Sequence, residues 1–114
     1  VSITTRTLER NILESAGFKV AVATDGIEAL DLLMQEDNIA LLVTDMEMPR
    51  MNGIELCRNI RAGRHAELPI IMVTSVGNAD DMKKGIQAGA DAYIVKGDFQ
   101  QEHFLETVRR FVRR

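Results

Sequence analysis

Short, mostly apolar runs without regular polar alternation constrain the fold of this chain more than any other feature of its sequence. They occupy residues 18–24, 39–44, 70–73 and 92–95. A strand with one solvated face alternates apolar and polar residues, whereas a strand that is buried on both faces does not. The runs therefore predict strands in a middle layer of the protein, covered on both sides.

Segments with helical periodicity separate these runs. The patterns Asp25-Gly-Ile-Glu28 and Asn52-Gly-Ile-Glu55 are typical of capping boxes, and residues 98–101 (Asp-Phe-Gln-Gln) form a third. Gly17 follows the first helical segment and suits the position after a helix end. The predicted order is α-β-α-β-α-β-α-β-α. Such alternation indicates an α/β fold with a parallel sheet covered by helices on both faces.

Length and composition predict one globular domain that spans residues 1–114. The sequence is 46% hydrophobic and 27% charged, and its single Cys excludes a disulfide framework and a multi-cysteine zinc site. A net charge of −3 does not favour direct nucleic-acid binding. No apolar run reaches the length of a membrane span, and the first residues do not form a signal peptide. We therefore expect a soluble cytoplasmic domain without membrane insertion.

Three chemically matched residues follow the ends of predicted strands: Asp45, Thr74 and Lys96. Ligands of open α/β sheets bind beyond the carboxyl ends of the strands. The Asp45 carboxylate is able to serve as a metal ligand or as a nucleophile that accepts a phosphoryl group, whose oxygens a hydroxyl and an ammonium group can bind. Each residue alone also has an ordinary explanation, since Asp forms turns, Thr favours strands and Lys faces solvent. Their combination favours a phosphoryl site.

The motifs around these residues resemble the receiver domain of two-component response regulators. Residues 45–53 (DMEMPRMNG) are similar to the phosphoacceptor strand and loop of that family. Residues 71–75 (IMVTS) are similar to its hydroxyl-bearing strand, and residues 88–96 (AGADAYIVK) to its last strand. The resemblance covers essentially the whole chain. It implies a flavodoxin-like, doubly wound sheet with strand order 2-1-3-4-5.

A narrower resemblance points to one group within the family. Residues 2–6 (SITTR) and 96–99 (KGDF) are most similar to receivers fused to chemotaxis-type hybrid histidine kinases. This resemblance implies a fused kinase or a separate downstream protein as the partner that receives the signal.

The resemblance also implies roles for individual residues. Asp45 is expected to take phosphate from a histidine kinase or a phosphotransfer domain. Asp45 and the backbone carbonyl of Glu47 are expected to contribute to a Mg²⁺ site. Thr74 and Lys96 are expected to bind the phosphoryl group. Tyr93 is expected to be an aromatic switch that turns inward with Thr74; alternatively, it is a half-buried strand residue whose hydroxyl lies in water.

The resemblance implies a signalling domain. Such a domain catalyses only the transfer of a phosphoryl group to its own Asp and the hydrolysis of that group. The fourth helix has few large apolar residues, Met82 and Ile86, so its docking is expected to be weak. Mobile elements come from the least stable parts of a fold. We therefore expect this helix, Tyr93 and the last helix to form the partner-facing surface.

The sequence departs from the family pattern in two places. Gly97 follows Lys96 where the family usually has Pro. The family also begins with a strand that ends in two acidic, Mg²⁺-binding residues, whereas Val1 and Ser2 here precede the first predicted helix directly. The first strand and the acidic pair are therefore predicted to be missing, and Mg²⁺ binding to be weak or absent.

Three explanations fit a missing first strand. The sequence as given begins late, a partner chain supplies the strand as in a strand-completing dimer, or residues 1–5 form a residual strand. The late start is favoured here, because a sheet without its central strand would leave ladder groups unpaired.

Three hypotheses about function follow. The chain is a phosphorylatable receiver, a degenerate receiver that binds proteins independently of phosphate, or a small enzyme on the same fold. The last is disfavoured, since the sequence has neither a glycine-rich phosphate loop nor a Ser/His/Asp set.

Overall fold

A computed structural model of the chain describes residues 2–5, 7–36, 38–48, 50–63, 65–74, 79–95 and 101–112. Strands and helices alternate along these residues. The strands are β1 (Ser2–Thr4), β2 (Val20–Val22), β3 (Leu41–Asp45), β4 (Ile70–Thr74) and β5 (Ala92–Val95). The helices are α1 (Thr7–Ser15), α2 (Gly26–Gln35), α3 (Gly53–Arg61), α4 (Ala79–Ala88) and α5 (Gln101–Val112).

The strands form one parallel sheet in the order β2-β1-β3-β4-β5. This order confirms the doubly wound, flavodoxin-like fold predicted from the sequence. The chain order reverses beside β1, so the carboxyl ends of β1 and β3 lie next to each other at the point where such folds bind ligands.

The prediction that the first strand is missing is wrong. Ser2–Thr4 form β1, in which Ile3 pairs with Ala21 of β2 on one side and with Leu42 of β3 on the other. Residues 1–5 therefore do contain a strand, and the chain itself fills the position between β2 and β3. The sequence pattern concealed β1, because Ser2 and Thr4 are polar although they are only 3% and 0% exposed.

Two apolar layers enclose the sheet. On one face, α1 and α5 pack against it through residues such as Leu13, Phe104 and Val108. On the other face, α2 and α3 contribute a layer that includes Leu33 and Leu56, together with the buried Cys57. The strand side chains alternate between the two layers. Burial on both faces explains why the strands lack polar alternation.

Helix ends agree with the predicted caps where the structure describes them. The Asp25 side chain accepts a hydrogen bond from the backbone N–H of Glu28, and Asn52 and Glu55 form a complete capping box. Gly17 has a φ of 95°, as expected for the position after α1. The third predicted cap, at Asp98, lies outside the described residues.

Helix α4 packs through small residues. Its two large apolar side chains, Met82 and Ile86, are 41% and 48% exposed, whereas Gly85 and Ala88 are buried. The layer beneath α4 thus gains little apolar area from this helix, which is consistent with the weak docking expected from its sequence.

Candidate functional site

The Asp45 side chain lies at the carboxyl end of β3 and is half-buried. Its Oδ1 accepts a hydrogen bond from the backbone N–H of Glu47 at 3.3 Å. Its own backbone N–H donates to the hydroxyl of Thr5, just beyond β1, at 2.8 Å. Asp45, the candidate phosphoacceptor, is therefore held through its side chain by its own loop and through its backbone by the residue that follows β1.

Thr74 ends β4 beside Asp45. The register pairs Asp45 with Val73, so Thr74 stands one residue further along the adjacent strand. Thr74 is 0% exposed, and its hydroxyl lies 3.7 Å from the sulfur of Met46. A hydroxyl and a carboxylate therefore share the same edge of the sheet, as the sequence predicted.

Tyr93 lies on β5 and is paired with Met72 of β4. Its hydroxyl lies 3.9 Å from the Met46 sulfur and hydrogen-bonds with Thr74, so it has protein partners. Burial raises the pKa of Tyr93 above its ordinary value, against the opposing effect of the Thr74 hydrogen bond. The ring lies against Gly85, where an added Cβ would stand only 3.2 Å from two ring carbons. The absent side chain at Gly85 leaves room for the ring beneath α4.

The remaining predicted site residues are less fully placed. Glu47 is exposed and immediately follows Met46, and its backbone N–H contacts Asp45. Lys96 lies outside the described residues. The structure therefore brings Thr74 and Tyr93 together near the sulfur of Met46, the residue that follows Asp45.

Sequence reasoning missed Thr5 and Met46 as parts of this site. Thr5 was inaccessible to prediction because β1 itself was not recognised. The sequence does contain a signal for Met46. It is an apolar residue directly after the last residue of a buried strand, a position from which its side chain can contact the neighbouring strand. Met46 is 7% exposed and its backbone N–H donates to the Val73 carbonyl at 3.0 Å.

Asp25 and Arg50 form an ion pair at the same edge of the sheet. The guanidinium of Arg50 donates from Nε to Asp25 Oδ2 at 2.7 Å, and Nη2 lies 2.5 Å from the same oxygen. The hydrogen bond from the Glu28 backbone, followed by that from Arg50, holds the pKa of Asp25 below its ordinary value. The sequence predicted Asp25 as a helix cap at the carboxyl end of a strand, but it did not single out Arg50 as its partner.

The donor set tests whether Mg²⁺ fits this site. Mg²⁺ keeps several waters and takes one or two carboxylates together with phosphate oxygens. Asp45 offers a carboxylate, whereas the carboxylate of Asp25 is already bonded to Arg50 and to a helix N–H. Thr5, at the end of β1, brings a hydroxyl that accepts the Asp45 N–H. Among the residues that the structure covers, no group of three or more His, Cys, Asp or Glu residues could hold a metal. The set fits a loosely held ion.

Comparison with known proteins identifies relatives along nearly the whole chain. The sequence model described as the response regulator receiver domain matches residues 2–109. A chemotaxis protein CheY homolog of Campylobacter jejuni is 40% identical over 97 residues, which cover 83% of this chain and 75% of the relative. The response regulator MprA of Mycobacterium tuberculosis is 39% identical over 105 residues. That match covers 92% of this chain but only 44% of MprA, so the chain spans less than half of this relative.

Solved structures share the fold. The receiver domain of the sensor histidine kinase PA1611 from Pseudomonas aeruginosa superposes with a TM-score of 0.88 at 23% identity, covering 99% of this chain and 97% of that one. That structure has a magnesium ion coordinated in its active-site cleft. Of the helices that the structure describes here, none is both long and apolar enough to cross a membrane.

Proposed function

Since the chain belongs to the response regulator receiver domain family, we propose that it is a signalling switch that accepts a phosphoryl group on Asp45. The observation that carries the proposal is the position of Asp45. Its half-buried carboxylate stands at the carboxyl end of β3, and Thr74 ends the adjacent strand one residue beyond Val73, the residue that pairs with Asp45. A carboxylate nucleophile and a hydroxyl donor at the same end of the sheet suit phosphoryl transfer.

The proposed reaction is an in-line displacement at phosphorus. A carboxylate oxygen of Asp45 attacks and forms an O–P bond, while the P–N bond to the histidine of the donor protein breaks. The imidazole nitrogen leaves with the electron pair and takes up a proton. The product is an acyl phosphate. The Glu47 backbone N–H, which contacts Asp45 Oδ1 at 3.3 Å, holds the carboxylate in place for attack.

Thr74 and Lys96 are proposed to bind the transferred phosphoryl oxygens, one by hydrogen bond and one by charge. Moving the Thr74 hydroxyl toward the phosphoryl group would change its contacts with Met46 and Tyr93. Tyr93 would then respond, since its hydroxyl shares both partners. The signal would reach α4 through the contact between the Tyr93 ring and Gly85.

We place the partner-facing surface on α4, β5 and α5. Met82 and Ile86 expose apolar side chains on α4 at 41% and 48%, so this helix docks without burying its large apolar residues. Histidine kinases or phosphotransfer domains on the input side, and a downstream protein or fused kinase on the output side, are the proposed partners. The competing proposal, a degenerate receiver, rests on the absence of the acidic pair with which the first strand ends in the family pattern.

Mg²⁺ is proposed to bind weakly, held by the Asp45 carboxylate and the backbone carbonyl of Glu47. When bound, the ion would neutralise charge on the phosphoryl oxygens. The hydrogen bond from the Glu47 N–H orients the Asp45 carboxylate without the help of a metal ion.

Replacing Thr5 by Asp is expected to raise the affinity for Mg²⁺ by about tenfold, because it adds a second carboxylate at the end of β1, next to Asp45. Calorimetric titration with MgCl₂ measures the affinity directly. Thr5→Asn is the matched control, since it has the same size as Asp without the charge and should leave the affinity unchanged. Equal affinities for the Asp and Asn variants would contradict a metal site at this edge.

Incubating the chain with Mg²⁺ and a small phosphodonor, such as acetyl phosphate or phosphoramidate, tests the proposed function. We expect a mass gain of one phosphoryl group that is labile to base, and no gain for Asp45→Asn. The amide variant keeps the size of the side chain but lacks a nucleophilic carboxylate. Intact-protein mass spectrometry measures both.

Two further readouts separate the competing functions. Asp31→Asn, an exposed carboxylate on α2, should label like the wild-type chain. Hydrogen exchange of residues 79–88 should change on labelling if α4 carries the signal. A chain that stays unlabelled and yet binds its partner would support the degenerate receiver, and labelling that persists in Asp45→Asn would exclude Asp45 as the only acceptor.

A further inference from the structure

The loop between β3 and α3 is pressed against the start of α2. An added Cβ at Gly26, the first residue of α2, would lie 2.8 Å from the Cβ, Cγ and backbone O of Met51. The backbone of the loop therefore passes directly over the helix N-terminus, where only a glycine leaves enough space. This contact places the loop beside Asp25, the N-cap of the same helix.

Arg50 fastens the loop at this point. Its Nε and Nη2 both contact Asp25 Oδ2, at 2.7 and 2.5 Å, and the Asp25 side chain is only 7% exposed. Asp25 is itself fixed, since its Oδ1 accepts the Glu28 N–H at 2.9 Å. A charged pair with one buried, doubly bonded partner holds its geometry better than an ordinary surface pair.

The backbone of Arg50 adopts an unfavourable conformation in this arrangement. Its φ is 65°, and it is the only non-glycine residue with a positive φ in the part of the chain that the structure describes. A non-glycine residue keeps a positive φ where the surrounding contacts enforce this backbone conformation. The ion pair to Asp25 and the contact between Met51 and Gly26 are such contacts.

The opposite end of the loop orients the nucleophile. The Glu47 N–H donates to Asp45 Oδ1, and the Gly53 N–H closes the loop by donating to the Met46 carbonyl at 2.9 Å. We propose that the Arg50–Asp25 pair is a latch that holds this loop, so that Arg50 is a positioning residue for phosphoryl transfer to Asp45. The inference rests on the proposed function and adds a residue to it that acts through the loop without touching phosphate.

Measuring the rate of labelling by a small phosphodonor in variants of both partners tests the latch. Arg50→Gln and Asp25→Asn are each expected to label about tenfold more slowly, because small displacements of a reacting group are costly. Asn retains the helix cap, as it is as good an N-cap as Asp. The double variant should be no slower than either single variant, since both remove the same contact. Arg50→Lys should recover part of the rate.

Arg50→Gly separates positioning from folding. Glycine adopts a positive φ without strain, which offsets the loss of the ion pair, so this variant should unfold at about the same urea concentration as the wild-type chain, yet still label slowly. Arg58→Gln, which removes an exposed positive charge from α3, controls for attraction of the anionic donor and should label at the wild-type rate. If Arg50→Gln and Arg50→Gly both label at the wild-type rate, the latch is overturned while the proposed function stands. An unlabelled wild-type chain overturns the proposed function, and the latch with it.

Discussion

Replacing Arg61 by Met is expected to lower the free energy of unfolding by about 3 kcal/mol, because it leaves two part-buried carbonyls, those of Leu68 and Gly89, without their donor. Arg61 lies at the end of α3 and donates to the carbonyls of Ala66, Leu68 and Gly89. It also contacts Asp91 Oδ2 at 2.9 Å, and that oxygen accepts the N–H of Ile70, the first residue of β4. One side chain thus joins α3, the start of β4 and the turn from α4 to β5.

Urea unfolding followed by circular dichroism measures this effect. Arg110→Met is the matched control, since Arg110 pairs with Glu106 at 3.9 Å and both side chains are mostly exposed, at 69% and 73%. Exposed pairs of this kind contribute little, so the control should stay within about 0.5 kcal/mol of the wild-type value. A loss below about 1 kcal/mol for Arg61→Met would show that water replaces the guanidinium at these carbonyls.

Replacing Gly53 by Ala is expected to cost about 3 kcal/mol of unfolding free energy and to abolish labelling of Asp45. Gly53 begins α3 directly against the end of β3, where an added Cβ would overlap the backbone oxygen of Asp45 and lie 3.0 Å from Met46 Cα. Backbone atoms cannot swing aside as a flexible side chain does, so overpacking here must shift the strand end. The displaced atoms belong to the proposed nucleophile and its neighbour.

Gly63→Ala provides the control for this substitution. An added Cβ at Gly63, beyond the other end of α3, meets only ordinary contacts at 3.5 and 3.8 Å. This variant should be as stable as the wild-type chain or slightly more so, and should label normally. If Gly53→Ala labels at the wild-type rate, the end of β3 is able to move without loss of reactivity, and tight placement of Asp45 is not required.

The sequence by itself determined the layered architecture and the edge at which the site lies. Burial on both faces removes polar alternation from β3 and β4, and capping patterns mark the starts of α2 and α3. These signals are local, since each depends on residues within one element. Because parallel strands end at one edge, the order of elements alone predicted that Asp45 and Thr74 lie close together.

The tertiary structure alone decided the first strand and the neighbours of the site. Ser2 and Thr4 lie in a segment with only a weak strand signal; they are buried because β2 and β3 bind them on both sides. Tyr93 likewise contacts Met46, which is 47 residues away in the chain, and the Arg50–Asp25 pair spans 25 residues. No local pattern encodes such pairs, because their energies arise only once the sheet has brought distant segments together.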